Sequence, residues 1–434
     1  VLQTMAAEDG QRLIQLIESI EALPAHHRLA VYRKLIDLVT YDMDSMITLG
    51  VLIDRHLLTK STSIDYAQEM ATWLLQILSN DSVRLSELLR LIHSHPAILT
   101  QFLVSLKTPD LLTLRSEVSR LDVEEDSKLQ KLKEQFKTLS RVLAFASNNY
   151  LRFFVRVVQV RPELVTHIDN IPILDRIGNL LWAELSDAKD PEDLKKRLSI
   201  YYQFGFCRCG LEAFNQPGNL KAFYKMYHAF FRRYFRWLYR AAQWSVETGR
   251  NISQEFRSQD EDDQPIAIFC TGGYAREEAF ENDIDLFIVC GDDESDFMRY
   301  ASMIVNDLNR ELNKQGVSPH HRFAETFNSF VIPLDLMEER FQSPEEDDFI
   351  EWGQLMGARL LVGSQKYDRA LTGLLQRNLF KNPARFVVCL LNEIRDRKEL
   401  FARSKSKSVN VKENPGGLRD IQTVIQACQA YIGD

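Results

Sequence analysis

The residues best suited to chemistry lie between positions 271 and 286, where two glycines precede two closely spaced aspartates. Gly272 and Gly273 directly follow an apolar run, and glycine lets the backbone turn tightly and approach a ligand closely. If a helix begins here, its free N–H groups and the positive end of its dipole favour an anion such as phosphate. Arg276, on the first turn, would add a charge-assisted contact to that phosphate.

Asp283 and Asp285 are separated by one residue at the start of a second apolar run. Side chains alternate along a strand, so both carboxylates are expected on one face. Two like charges this close repel one another unless cations lie between them. Mg²⁺ binds one or two carboxylates and takes its other ligands from water and substrate phosphates. The spacing therefore predicts a site for Mg²⁺ (or Mn²⁺) with both aspartates as metal ligands and catalytic residues.

Two apolar runs predict the strands that position these residues, one over 265–271 and one over 284–290. A short helix of about ten residues is expected between them. Residues 294–314 have helical periodicity, Arg322 to Phe330 is predicted as a third strand, and helices resume near residue 335. This order of strand, turn, helix, strand, helix and strand predicts a small domain with a mixed sheet.

The rest of the chain predicts helices. Residues 1 to about 250 are nearly continuous helix, with apolar residues three and four apart at Leu13, Ile14, Leu16, Ile17 and Ile20 and again at Leu85, Leu88, Leu89, Leu91 and Ile92. An acidic linker at 258–264 ends this region. The expected fold class is α+β: a helical region over 1–250, a mixed-sheet domain over 262–340, and a helical subdomain over 341–434.

Residues 222–247 interleave aromatic side chains with lysine and arginine. This pattern has two interpretations. It describes a surface that stacks bases and contacts phosphates, or an amphipathic helix with its aromatic face buried and its arginines outside. The second interpretation is favoured, because aromatic residues at helical spacing usually pack in cores.

Composition and charge restrict the classes of partner. The 434 residues carry a net charge of −8, which argues against nucleic acid or an acidic membrane as a partner of the whole surface. No apolar stretch approaches the roughly 20 residues that cross a bilayer, and no signal peptide opens the chain. A cytoplasmic protein without a membrane partner is expected. The first residue is Val1, so the sequence is interpreted as a piece of a longer polypeptide.

Three segments resemble one family. Residues 271–286 resemble the nucleotidyltransferase motif of the DNA polymerase β superfamily, in particular that of the catalytic domain of bacterial PII uridylyltransferases, Gly-Gly-Tyr-Gly-Arg-Gly-Glu…Ser-Asp-Ile-Asp-Leu. Residues 411–422 are similar to that family's Lys-Glu-Gly-Pro-Gly-Gly-Leu-Arg-Asp-Ile-Gln element, and residues 358–363 are similar to its Ala-Arg-Leu-Leu-Ala-Gly stretch. The resemblance covers about residues 225–434.

The resemblance implies further site residues. Glu325, in the segment 323–327, falls where the family has a carboxylate, and it is expected to complete the metal shell or to help deprotonate the acceptor. Asp335 is the rival for this role, although it suits the N-cap of the following helix better. The resemblance also implies Lys412 and Arg419 as nucleotide-binding cations. They lie on either side of a second glycine pair, Gly416 and Gly417. A helix cap that docks the helical subdomain is the alternative role for this segment.

Three positions depart from the family motif. Ala275 and Glu277 replace glycines, and Asn282 replaces a serine. Ala275 requires an ordinary backbone conformation, which the start of a helix permits. Glu277 adds a negative charge beside the expected phosphate site.

The resemblance implies an enzyme that moves a nucleoside monophosphate from a nucleoside triphosphate to an acceptor and releases pyrophosphate. If it extends to substrates, the donor is UTP and the acceptor is a side chain of a nitrogen-signalling protein. Residues 1–250 would then be a regulatory or partner-binding region. Two alternatives remain open. One is a non-catalytic nucleotide sensor or scaffold, and the other is a transferase that modifies nucleic acid.

Overall fold

The structure, a computed structural model, describes most of the chain from Ser82 onward. The described residues are Pro24, His27, Val31 and 82–433, except 124–125, 216–217, 250–263, 265, 278–283, 292–294, 315–320, 324, 328, 346–347, 404–409 and 413. They divide into two compact units. The first comprises those within 1–182 and 203–219, and the second those within 183–202 and 220–434.

The first unit is helical. Its helices are α1 (Ser82–Ser94), α2 (Pro96–Ser105), α3 (Thr108–Arg120), α4 (Ser127–Phe145), α5 (Asn148–Val160), α6 (Glu163–Thr166) and α7 (Ile171–Ala183), and it shares α8 (Pro191–Asn215) with the second unit. The predicted apolar series Leu85 to Ile92 is confirmed as the buried face of α1. The series Leu13 to Ile20 lies outside the described residues.

The second unit contains a mixed sheet among helices. Its strands are β1 (Ile266–Cys270), β2 (Ile284–Cys290), β3 (His321–Phe323), β4 (Val331–Pro333) and β5 (Arg359–Gly363). The order is β3-β2-β1-β5, with β4 also paired to β2. The β1 strand is antiparallel to β2 and to β5, whereas β3 and β4 run parallel to β2. A mixed sheet in a mostly helical chain confirms the α+β class.

The helices of the second unit follow in chain order. They are α9 (Leu220–Gly249), α10 (Gly272–Ala275), α11 (Ser295–Lys314), α12 (Leu334–Gln342), α13 (Asp348–Met356), α14 (Gln365–Leu374), α15 (Ala384–Arg403) and α16 (Leu418–Ile432). The helix predicted over 294–314 is confirmed as α11. Among the described helices, none has both the length and the apolar character that crossing a bilayer requires.

The strand predicted over 322–330 is wrong. Two three-residue strands, β3 and β4, pair with successive parts of β2, at Asp285 and at Ile288 respectively. Between them Thr326 and Ser329 exchange backbone hydrogen bonds of 2.9 and 3.1 Å, and Phe327 has a φ of +52°. A residue in this left-handed conformation cannot continue an extended strand, so the chain turns there.

The predicted length of about ten residues for the helix at the glycines is also wrong, as far as the described residues show. The α10 helix has four residues and ends at Ala275. Glu277 then adopts a φ of +59°, which ends a right-handed helix. A single turn sums few peptide dipoles, so binding of an anion here would rely on individual backbone N–H groups.

The α9 helix is the long segment of interleaved aromatic and basic residues, and its amphipathic interpretation is confirmed. Its buried aromatic residues are Phe223, Tyr227, Phe231, Tyr234, Phe235 and Tyr239. The side chains of Arg232, Arg233 and Arg236 are exposed. The helix packs against α11 and β5 within the second unit.

Candidate active site

The turn from β1 into α10 brings Gly272 and Asp285 together. The backbone N–H of Thr271 donates to the carbonyl oxygen of Asp285 at 2.9 Å, one residue beyond the last β1–β2 pair, Cys270 with Leu286. A Cβ atom placed on Gly272 would lie 3.3 Å from the Oδ2 atom of Asp285. The half-buried carboxylate therefore lies against the backbone of the turn.

Gly272 is required by this turn for two reasons. Its φ of +65° lies in the left-handed region, which residues with a Cβ adopt only at a cost. A side chain at this position would also crowd the Asp285 carboxylate. Gly273 follows within α10. The glycine pair thus leaves a backbone surface directly beside an acidic group.

The second expected metal ligand, Asp283, lies outside the described residues. Within the described part of the chain, no three His, Cys, Asp or Glu side chains gather in an arrangement that could hold a metal ion. Asp285 supplies an oxygen donor of the kind that Mg²⁺ prefers, and its Oδ2 atom lies close to the backbone of Gly272. This one donor suits a hard cation, and a complete set of metal ligands stays a prediction that depends on Asp283.

Arg276 and Glu277 follow α10 directly. Arg276 is exposed, and its backbone N–H donates to the carbonyl oxygen of Gly272 at 3.3 Å. The Oε1 atom of Glu277 lies 3.2 Å from the Nη1 atom of Arg359, the first residue of β5. The added acidic charge at Glu277 is thus partly balanced, in a solvated pair that contributes little to stability.

Glu325 and Asp335 are both exposed. Glu325 follows the last residue of β3 by two positions and is not on a strand. The residue of β3 in register with Asp285 is Arg322. Asp335 lies in the first turn of α12, where its Oδ1 atom accepts from the backbone N–H of Leu336 at 2.8 Å. The N-cap predicted there is wrong, because the N-cap residue is Pro333.

Helix α9 packs against the turn through Tyr274. The Tyr274 hydroxyl donates to the carbonyl oxygen of His228 at 3.0 Å. The two rings stack, with centroids 4.5 Å apart and planes inclined by 18°. Phe231 meets the Tyr274 ring edge-on at 5.0 Å. Burial raises the pKa of Tyr274 far above its usual value, so the hydroxyl stays protonated and keeps donating.

The second glycine pair forms a compact loop before α16. Three successive N–H groups donate to carbonyl oxygens of the loop itself: Gly417 to Asn414 at 2.8 Å, Leu418 to Val411 at 3.0 Å, and Arg419 to Lys412 at 3.1 Å. These amides are therefore engaged, and the start of α16 offers an anion little beyond its side chains. The side chains of Lys412 and Arg419 are exposed.

Asp420 ties this loop to α15. Its Oδ2 atom accepts from the backbone N–H of Gly416 at 2.7 Å, and its Oδ1 atom accepts from Nη2 of Arg397 at 2.8 Å. Arg397 also pairs with Glu393 at 2.8 Å. No local pattern in the sequence predicts the Arg397–Asp420 pair, because the two residues are 23 positions apart.

We expect Gly417→Ala to destabilise the loop more than Gly416→Ala. A Cβ atom at Gly417 would lie 2.5, 2.7 and 2.9 Å from the carbonyl oxygens of Val411, Asn414 and Lys412, whereas one at Gly416 meets nothing within 4 Å. Gly416 has a φ of +77°, so alanine there costs about 1 kcal/mol. The overlap at Gly417 costs about 2–3 kcal/mol. Urea denaturation measures both, and equal losses would contradict the loop geometry.

Comparison with known proteins agrees with the resemblance over part of the chain. Residues 385–433, which include this loop and α16, match the family described as GlnD PII-uridylyltransferase. A bifunctional uridylyltransferase/uridylyl-removing enzyme of Idiomarina loihiensis is 29% identical over 182 residues. That alignment covers 40% of this chain but only 18% of the length of the relative. The chain is therefore similar, over part of its length, to a nucleotidyl-transferring enzyme.

Proposed function

We propose that the chain is a metal-dependent nucleotidyltransferase of the superfamily that includes DNA polymerase β. It moves a nucleoside monophosphate from a nucleoside triphosphate, with UTP as the first donor to test, to an acceptor and releases pyrophosphate. The observation that carries this proposal is the Asp285 carboxylate close to the backbone of the Gly272 turn. The match of residues 385–433 to a uridylyltransferase family supports it from a separate segment.

Each residue has a distinct role in this proposal. The backbone N–H groups of Gly272 and Gly273 contact the phosphates, and Arg276 adds a cation to them. Asp285, with Asp283, holds Mg²⁺ or Mn²⁺, which neutralises charge on the triphosphate when bound. Through this cation, Asp285 would position the reacting phosphate beside the turn. Most of the catalysis then comes from positioning and charge neutralisation.

The remaining candidates act further from this turn. Glu325 is assigned to the acceptor side because it is exposed beyond the end of β3. Lys412 and Arg419 are assigned to the nucleotide through their exposed side chains. The proposed acceptor is a PII-type signalling protein, as the name of the matching family suggests.

The direct experiment is incubation with Mg²⁺, a PII protein and each of the four labelled nucleoside triphosphates. Label on the acceptor and equal release of pyrophosphate support the proposal. Binding of nucleotide without pyrophosphate release would instead identify a sensor, an alternative favoured by the acidic Glu277 beside the turn. Label on RNA but not on protein, in a parallel incubation that contains an RNA oligomer, would identify a nucleic-acid-modifying transferase.

We expect Glu277→Gly to strengthen nucleotide binding about fivefold. Removing this carboxylate lowers the negative charge near the phosphates and releases Arg359 from its pair. Glu277→Gln is the matched control, because it removes the charge but keeps a side chain at the φ of +59°. Calorimetric titration with UTP and Mg²⁺ measures both, and unchanged affinity in both variants would contradict a phosphate site at this turn.

A further inference from the structure

The exposed side of α9 carries a dense positive charge. Between residues 221 and 240 it holds six cations and no aspartate or glutamate, in a chain with a net charge of −8. The exposed cations are Lys221, Lys225, Arg232, Arg233, Arg236 and Arg240. Their mutual repulsion costs stability, and an anion bound among them would relieve it.

A cavity of about 310 Å³ lies on this side of the helix, lined by His228, Ala229, Arg232, Arg233 and Arg236. His228, Arg232 and Arg236 are four residues apart and so share one face. Arg232 and Arg236, four residues apart, are separated by about 6 Å along the helix axis. The cavity can therefore present cations to more than one phosphoryl group of the same molecule.

His228 connects this cavity to the candidate active site. Its ring stacks on Tyr274 and its carbonyl oxygen accepts from the Tyr274 hydroxyl. Burial lowers the pKa of His228, Glu277 opposes this effect, and Arg359 and Arg232 add to it. These charges are therefore near neighbours of the ring. Its Nε2 atom is buried and has no hydrogen-bond partner among the described residues.

We propose that Arg232 and Arg236, in the cavity that His228 also lines, form a binding site for an oligophosphate. The shared chemistry is a chain of phosphoryl groups, supplied either by the tail of a nucleoside triphosphate or by free inorganic oligophosphate. Arginine suits this ligand because its planar guanidinium donates to two phosphate oxygens at once. The site goes beyond the proposed transfer reaction and does not depend on it.

Single-stranded nucleic acid fits this surface less well. Proteins that bind it stack the bases on exposed aromatic side chains. The aromatic residues Tyr227, Phe231 and Tyr234 of α9 are buried, and Arg240 lies over the ring of Trp237 at 5.4 Å. Most aromatic residues of α9 are therefore buried away from a ligand, whereas its cations are exposed.

Calorimetric titration with inorganic tripolyphosphate tests the site. The experiment uses the full chain carrying Asp285→Asn, so that the transfer reaction plays no part. The cavity variant adds Arg232→Gln and Arg236→Gln. The matched control adds Lys221→Gln and Lys225→Gln, which remove the same charge from the same helix outside the cavity. Circular dichroism checks that each variant folds.

We expect tripolyphosphate to bind, the cavity variant to lose at least tenfold in affinity, and the control to change less than about twofold. If UTP competes with tripolyphosphate, the natural ligand is the triphosphate tail of a nucleotide. If UTP does not compete, the natural ligand is free inorganic oligophosphate. Equal losses in both variants, no binding by the Asp285→Asn chain, or binding of an RNA oligomer but not tripolyphosphate would overturn the proposal. If the unmodified protein transferred no nucleotide but tripolyphosphate still bound as expected, the proposed transfer reaction would be wrong and this binding site would not.

Discussion

Replacing Asp285 with asparagine is expected to lower the rate of nucleotidyl transfer at least about a hundredfold. The amide keeps the size of the side chain beside Gly272 but removes the charge that holds a cation and its triphosphate. Asp285 is half-buried at the start of a strand whose other residues are buried. Because the change is isosteric, the fold should persist, with a thermal midpoint close to that of the unmodified protein.

The matched control is Asp335→Asn. Asp335 is the exposed rival carboxylate in the first turn of α12, and it accepts only a local hydrogen bond from Leu336 among the contacts described. Initial rates of pyrophosphate release compare the two variants. If Asp285→Asn releases pyrophosphate as fast as Asp335→Asn, Asp285 is not part of the site. If only Asp335→Asn loses activity, the catalytic role belongs to Asp335.

Replacing Lys195 with methionine is expected to destabilise the second unit by about 3 kcal/mol or more. Lys195 belongs to α8, and its side chain is only 2% exposed. Its Nζ atom lies 2.9 Å from the Oδ2 atom of Asp307 in α11, whose side chain is 7% exposed. Methionine removes the cation and leaves the buried carboxylate with Arg310, which is mostly exposed, as its remaining ionic partner among the described contacts.

Two controls separate a buried charge from lost packing. The double variant Lys195→Met/Asp307→Leu removes both charges and should recover most of the loss. Arg120→Met breaks the exposed pair with Glu117 and should change stability by less than about 0.5 kcal/mol. Urea denaturation followed by tryptophan fluorescence measures all three. If Lys195→Met is as stable as the unmodified protein, the buried pair contributes nothing to the free energy of unfolding.

The sequence predicted the elements whose signal is local. Strands β1 and β2 were predicted because their residues are continuously apolar, and α11 because its residues repeat every three or four positions. The contact between Gly272 and Asp285 depends on the register of β1 and β2, in which Cys270 pairs with Leu286.

The sequence did not predict the features that depend on distant contacts or on unusual dihedral angles. Phe327 and Glu277 both have a positive φ, and neither residue type indicates this. Tyr274 packs against His228, which is 46 residues away, and no pattern within either segment predicts that contact. Asp283 lies outside the described residues, so its pairing with Asp285 on one face stays a prediction.

A crystal structure with Mn²⁺ and the non-hydrolysable donor α,β-methylene UTP would show whether Asp285 binds the metal, because anomalous scattering locates it. We expect Mn²⁺ in direct coordination with a carboxylate oxygen of Asp285, and phosphate oxygens within hydrogen-bond distance of the Gly272 and Gly273 amides. A metal coordinated without Asp285, or a nucleotide bound away from this turn, would contradict this expectation.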